Sequence, residues 1–244
     1  MIRRRTIARQ FTACLLALPL VAAGPKPVDT PRFDPTDRYD RRTVEGWPVL
    51  INKAFLSDRP ELARDVLTLL GQQFYQIKRH LPASAVTKLQ QVRIWVEEKE
   101  PNHPCMAYHV SPDWLLEHGM NPEKARCVEV ANARNFLTWT REQPWMVLHE
   151  LAHAYHHQFL DKGYDNPEVA DAYHKAVEAK RYASVLHFDG KEVRAYAATN
   201  PMEYFAEATE AFFGSNDFYP FVRAELRRHD PVAHDLLATL WGAH

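Results

Sequence analysis

The chain carries almost no net charge. Its 30 lysines and arginines nearly balance 31 aspartates and glutamates, leaving −1 over 244 residues. That excludes the strongly basic balance of a nucleic-acid partner, and none is expected. Long apolar runs are missing too: the stretch over residues 11–20 is too short to span a bilayer, so no stable membrane span is expected. Cysteine is scarce, three residues without C-x-x-C spacing, which argues against a thiolate zinc site. There is no internal repeat and no low-complexity tract. What is present is ordinary for a globular chain, 46% hydrophobic and 25% charged, with length for one sizeable domain. Histidine, at 13, is the outlier.

Arg3, Arg4, Arg5 and Arg9 precede the apolar run, and Val21-Ala22-Ala23 offers small residues for cleavage. Residues 1–23 are therefore expected to be an export signal, giving a secreted or periplasmic protein. Its removal would take away those arginines and no acid, leaving a mildly acidic protein with Cys105 and Cys127. In an exported protein such a lone pair is a disulfide candidate. Residues 24–42, with Pro25, Pro27, Pro31 and Pro35, are expected to form a polar arm with little core of its own. A single catalytic domain is expected over residues 43–244.

Hydropathy patterning predicts a first strand over residues 43–53, interrupted by Gly46 and Pro48, and a helix from Asp58-Arg59-Pro60 to about Leu81. Strands are expected over residues 91–97, 105–110 and the first half of 127–137. Residues 112–118 read as a helical turn ending at Gly119. Asn166-Pro167 and Asn200-Pro201 each open a helix. Asp189-Gly190 marks a hairpin between residues 185–188 and 192–196. Two short helices, over residues 219–228 and 231–241, close the chain. A sheet followed by a mostly helical half makes the fold class α+β.

The chemistry centres on His149-Glu150-Leu151-Ala152-His153, an H-E-x-x-H stretch. Residues four apart share one helix face, so the two imidazoles can grip one zinc ion from one side. Glu150 is then placed as general base toward a water. Val147, Leu148, Leu151, Ala152, Tyr155 and Phe159 make most of that helix apolar, so it is expected to be buried. A catalytic zinc needs a third protein ligand. His156 and His157 follow on the same helix, but His157 lies eight residues, about 12 Å of rise, from His149. They are expected at the surface or behind the ligands. Position 156 is histidine and position 159 phenylalanine, which excludes the metzincin pattern. Glu203, Glu207 and Glu210 share one face of the helix after Asn200. Glu203 also stands where a capping-box glutamate would. Spacing alone leaves Glu203 and Glu207 open as the third ligand.

His149–His153 together with Tyr196-Ala197-Ala198-Thr199-Asn200-Pro201-Met202-Glu203-Tyr204-Phe205-Ala206-Glu207-Ala208 resembles the gluzincin family of the anthrax lethal factor catalytic domain. In that family a tyrosine precedes the ligand glutamate by seven residues within a T-N-x-x-E-[FY]-F-A-E-A run, and Tyr196 and Glu203 keep the interval. The resemblance implies a zincin-like fold and one Zn2+ per chain on His149, His153 and Glu203. It implies Glu150 as base, Tyr196 near the substrate oxyanion, and Glu207 orienting a ligand histidine. No toxin role is carried over.

The expected function is that of an exported zinc metallopeptidase acting on a peptide or protein substrate. An extended substrate would pair with an edge strand, with residues 127–131 the first candidate and 105–110 the second. A zinc hydrolase of a non-peptide bond and a catalytically inactive zinc-stabilised binding protein are the alternatives. The intact Glu150 and Tyr196 speak against the latter.

Overall fold

In the computed structural model, residues 33–243 are described; the expected export signal and most of the expected arm lie outside them. The sheet begins at a two-residue turn, Glu45-Gly46, whose φ values of 52° and 98° are the left-handed pair such hairpins need. It joins β1 (Tyr39–Val44) to β2 (Trp47–Asn52) in antiparallel register, with Val44 opposite Trp47 and Tyr39 opposite Asn52. The single interrupted strand expected over residues 43–53 is thus a hairpin. The end of the expected arm, from Tyr39, supplies the first part of β1. Pro48 does not interrupt β2; it sits within it, opposite Thr43.

Parallel strands require a crossover, and the next segment supplies it. It comprises α1 (Lys53–Asp58), α2 (Pro60–His80) and α3 (Ala83–Leu89). Asn52 caps α1 by accepting from the Ala54 and Phe55 amides. Along α2, Ala63, Val66, Leu70, Phe74 and Ile77 recur on one buried face, and Phe74 stacks flat on Trp47 at 4.4 Å. β3 (Ile94–Val96) then pairs parallel to β2. β4 (Met106–Tyr108), α4 (Pro112–Glu117) and β5 (Val128–Val130) follow. β5 pairs parallel to β3 and antiparallel to β4, giving the order β1-β2-β3-β5-β4.

Two expectations are corrected by this order. The strand at residues 127–131 lies inside the sheet with both sides paired, so the free edge belongs to Met106–Tyr108. Cys105 and Cys127 are both free. The ladder places Cys105 beside Ala131 and His109 beside Cys127, at opposite ends of the β4–β5 pair. The two side chains also face opposite sides: Cys105 joins the main core and Cys127 packs with Tyr39, Leu50 and Trp95. A disulfide cannot close across a sheet over that distance.

α5 (Ala133–Trp139) ends before α6 (Met146–Phe159) begins. The second half of residues 127–137 is thus a helix of its own, separated from the motif helix by a turn. Then come α7 (Pro167–Glu178), the hairpin β6 (Val185–Leu186) and β7 (Glu192–Val193), α8 (Pro201–Phe213), α9 (Arg223–His229) and α10 (Pro231–Trp241). The fold is α+β, a small mixed sheet with about ten helices. None of the described helices is long and apolar enough to cross a membrane.

α6 and α8 form the centre of the helical half. α6 is buried nearly all round, from Met146 to His156, and α8 is buried from Tyr204 to Phe213. Gly214, just past α8, lets them approach: a Cβ there would lie 1.9 Å from the Trp145 ring at the start of α6. Any side chain at 214 would push the two helices apart.

Candidate metal centre

α6 displays His149 and His153 one turn apart on the face toward α8, as the four-residue spacing dictates. α8 starts where Asn200 accepts from the Glu203 amide at 2.9 Å and Pro201 fixes the first turn. Glu203 therefore stands in the first turn of α8. Its carboxylate does not fold back as a capping box would; it reaches across to the histidines. Glu203 Oε2 lies 3.1 Å from His149 Nε2 and 3.2 Å from His153 Nε2, and the two Nε2 atoms stand 3.1 Å apart.

Three donor atoms thus converge on one point. Tetrahedral ligands about 2.1 Å from a zinc ion would stand about 3.4 Å from one another, so the donor set fits with small relaxation. Its chemistry fits as well, two imidazoles and one carboxylate. Burial disfavours a charged His149, but hydrogen bonds to Glu203 and Glu210 outweigh it and raise its pKa well above the usual histidine value. Burial likewise opposes ionisation of Glu203, yet its bonds to His149 and His153 hold it well below the usual carboxylate range. Both shifts come from the same contacts between this carboxylate and the imidazoles.

Behind His149 the structure corrects one assignment. His149 Nδ1 stands 2.7 Å from Glu210 Oε1 and 3.8 Å from Glu207 Oε1. The residue that holds the ring is therefore Glu210. Glu207 instead accepts from Asn216 Nδ2 at 3.1 Å. Burial raises the pKa of both carboxyls, helped at Glu207 by repulsion from Glu210 and opposed at Glu210 by the bond to His149. His153 Nδ1 is buried without a hydrogen-bond partner among the described residues.

Tyr196 opens a short 3-10 turn ahead of α8, and its hydroxyl donates to Glu203 Oε1 at 3.3 Å. It is 48% exposed, so its phenol stands at the cleft rather than in the core. Glu150 turns away from the two histidines toward the sheet edge, where Oε2 accepts from the Tyr108 amide at 2.8 Å. The antiparallel ladder explains why that amide is free. β5 takes the His109 N–H and the Cys105 carbonyl, and alternation leaves the backbone groups of Met106 and Tyr108 facing outward. Glu150 and the edge of β4 thus flank one cleft of about 500 Å³, with His149, His153, Tyr196 and Glu203 in its wall.

Neither histidine after the motif sits at the surface as a simple solvated group. His156 is wholly buried against Tyr164 and Phe205, with no partner for either ring nitrogen among the described residues. Burial pushes its pKa down to about 3, so it is neutral. His157 Nδ1 stands 2.7 Å from the Tyr108 hydroxyl, tying α6 to the edge strand.

Sequence reasoning missed Glu210, the Tyr108 amide and the cleft wall made by Trp139 and Met146. For Glu210 a signal existed, its place on the same helix face as Glu203. The others depend on which strand lies at the sheet edge.

No family model matches the chain, and no curated protein sequence matches it. Among solved structures it is similar to the Pro-Pro endopeptidase PPEP-2 from Paenibacillus alvei, at 18% identity over 82% of this chain and 99% of that one, with a TM-score of 0.41. That likeness is too distant to assign a fold family or an activity.

Proposed function

We propose that the chain is an exported zinc metallopeptidase of zincin-like, gluzincin type, with His149, His153 and Glu203 holding one zinc ion. The observation that carries this reading is the convergence of three donor atoms, 3.1 to 3.2 Å apart, beside a glutamate and a tyrosine in one cleft. Bound there, zinc would supply Lewis acidity, polarising a carbonyl and making a nearby water a nucleophile near neutral pH.

The chain's own residues do the rest. The outward N–H and C=O groups of Met106 and Tyr108 pair with an extended substrate backbone, which places an amide across the cleft. Glu150 leaves the Tyr108 amide when the substrate takes that donor. It then removes the proton from the attacking water and passes it to the leaving amine. The Tyr196 hydroxyl, freed from Glu203, donates to the oxygen of the attacked carbonyl as charge develops there. Glu210 holds the His149 ring by Nδ1 and fixes which nitrogen faces the site. Peptide hydrolysis is favoured over other hydrolysis because the free strand edge recognises backbone.

A digest of a blocked peptide library, run with and without a chelator and with Glu150→Gln as control, tests the reading. Chelator-sensitive cleavage that Glu150→Gln abolishes is expected. Cleavage that survives both treatments would refute it.

A further inference from the structure

We propose that the cleft selects a neutral, apolar side chain in the interior of a peptide, and that Trp139 is the residue that selects it; this rests on the peptidase reading above. The first support is what the wall does with charge. Among the described residues neither lysine nor arginine lines the cleft. Beside the zinc position, a C-terminal carboxylate or an acidic side chain drawn in would lose water and find neither lysine nor arginine, next to Glu150, Glu203, Glu207 and Glu210. Those four carboxylates are themselves engaged, by the Tyr108 amide, by the two histidines, by Asn216 and by His149. Glu150, released when a substrate takes the Tyr108 amide, is then taken up by the attacking water, so none is left to receive an N-terminal amine. Away from the zinc position both ends of a peptide therefore lack a partner, and the cleft suits a bond in the interior.

The second support is the wall away from the histidines. β4 and α6 run side by side: Cys105 Sγ lies 3.4 Å from Met146 Sδ, and the Tyr108 amide meets Glu150. The start of β4 therefore lies by the start of α6, one turn before His149. There the cleft is walled by Pro104, Cys105, Met146 and Trp139. Burial pushes the Cys105 thiol up to about 12, so it is neutral. Gln143 is the polar neighbour, and its amide nitrogen is already turned to Asp217 at 3.2 Å. Trp139, at the end of α5, is 37% exposed, a large indole face that an apolar side chain would take out of water. A substrate strand paired with Met106 and Tyr108 presents alternate side chains to that wall.

The test uses one peptide, acetylated and amidated, with a single position varied through Leu, Ala, Asp and Lys, plus the Leu peptide with a free C-terminus. Two quantities are read: kcat/KM with the wild-type protein, and affinity by calorimetry for the zinc-supplemented Glu150→Gln protein. The Leu peptide should lead the Ala peptide by about 10- to 200-fold, the usual discrimination of an apolar pocket, and the charged peptides by at least that. Trp139→Ala should collapse the Leu/Ala ratio, while Trp139→Phe keeps most of it; zinc content and Tm should stay unchanged in both. A preference for Asp or Lys, a need for the free C-terminus, or a Leu/Ala ratio unchanged in Trp139→Ala overturns the inference. If nothing is cleaved but calorimetry shows a Trp139-dependent preference for Leu, the hydrolytic reading falls and the specificity of the cleft stands. Equal affinity for all the peptides removes it.

Discussion

Two clusters of buried ionisable groups lie on opposite sides of the same sheet, and they differ in one respect. On the face away from the main helices, Lys124 is 2% exposed and bridges Glu97 and Glu129, whose other oxygens take hydrogen bonds from Asn52 and His109. Tyr39 also donates to Glu97. Burial would raise Glu129 and lower Lys124, yet their mutual contacts, with His109, hold the carboxylate low and the ammonium high. This cluster contains its own cation. Among the described residues the cluster between α6 and α8 has neither lysine nor arginine in the cleft wall: Glu203, Glu207 and Glu210 gather round His149 and His153, and the imidazole whose pKa is raised, His149, faces three carboxyls. Buried carboxylates need compensation. The first cluster has the character of a structural brace, and the second has the composition of a place for a metal.

The largest way to break the contrast is to empty the brace. Lys124→Met leaves two carboxylates buried without their cation and should cost about 3–5 kcal/mol of stability, while zinc affinity of the folded protein stays as in the wild type. Urea unfolding and a metal titration check both halves. A loss of zinc without a loss of stability would reverse the two roles.

Tyr196→Phe comes next. The phenol is half exposed and among the described residues bonds only to Glu203, so removing it should leave folding intact. Turnover should fall on the order of 10²-fold with little change in KM, because the bond forms in the transition state. Steady-state kinetics decide, and near-normal kcat would take Tyr196 out of the mechanism.

A smaller effect sharpens the site itself. Glu210→Gln should weaken zinc binding about 10- to 100-fold, the usual cost of losing the group that orients a ligand histidine. Glu207→Gln should cost less, since Glu207 serves Asn216. The opposite order in a competition titration would restore Glu207 to that place.

The last effect appears only on acidification and concerns His156, a buried group with no polar partner among the described residues. Its folded pKa is about 3. Above pH 6.5 both folded and unfolded chains carry it neutral, and it contributes no pH dependence. As pH falls below about 6.5, the unfolded chain takes a proton that the folded one refuses, and stability drops by about 1.4 kcal/mol per pH unit until about pH 3. His156→Phe should flatten that part of the profile, measured by urea unfolding at pH 7, 6 and 5. Parallel profiles would show that the ring is not held neutral.

Much of the helical half was legible because its signals are local. Asn200-Pro201 announces α8, and the apolar surround of His149 to His153 announces a buried α6. The α+β class follows from the order of such segments. The sheet was harder to read. β3 and β5 form where alternation predicts strands, but each is only three residues long and buried throughout, and nothing in Val128–Val130 says that it lies between two neighbours. The edge position of Met106–Tyr108 and the separation of Cys105 from Cys127 both follow from that nonlocal pairing. At the candidate site, spacing put Glu203, Glu207 and Glu210 on one face of α8. Which of them reaches His149 Nδ1 depends on how α6 and α8 pack, and on Asn216 claiming Glu207.

The central claim is that the second cluster is completed by one zinc ion on His149, His153 and Glu203. Titrating zinc into the apoprotein against a chromophoric chelator tests it most directly, with Glu203→Gln and Lys124→Met run alongside. One equivalent per chain is expected for the wild type and for Lys124→Met, with a loss in Glu203→Gln that exceeds the loss in Glu210→Gln. No uptake by the wild type, or undiminished uptake by Glu203→Gln, would contradict the account.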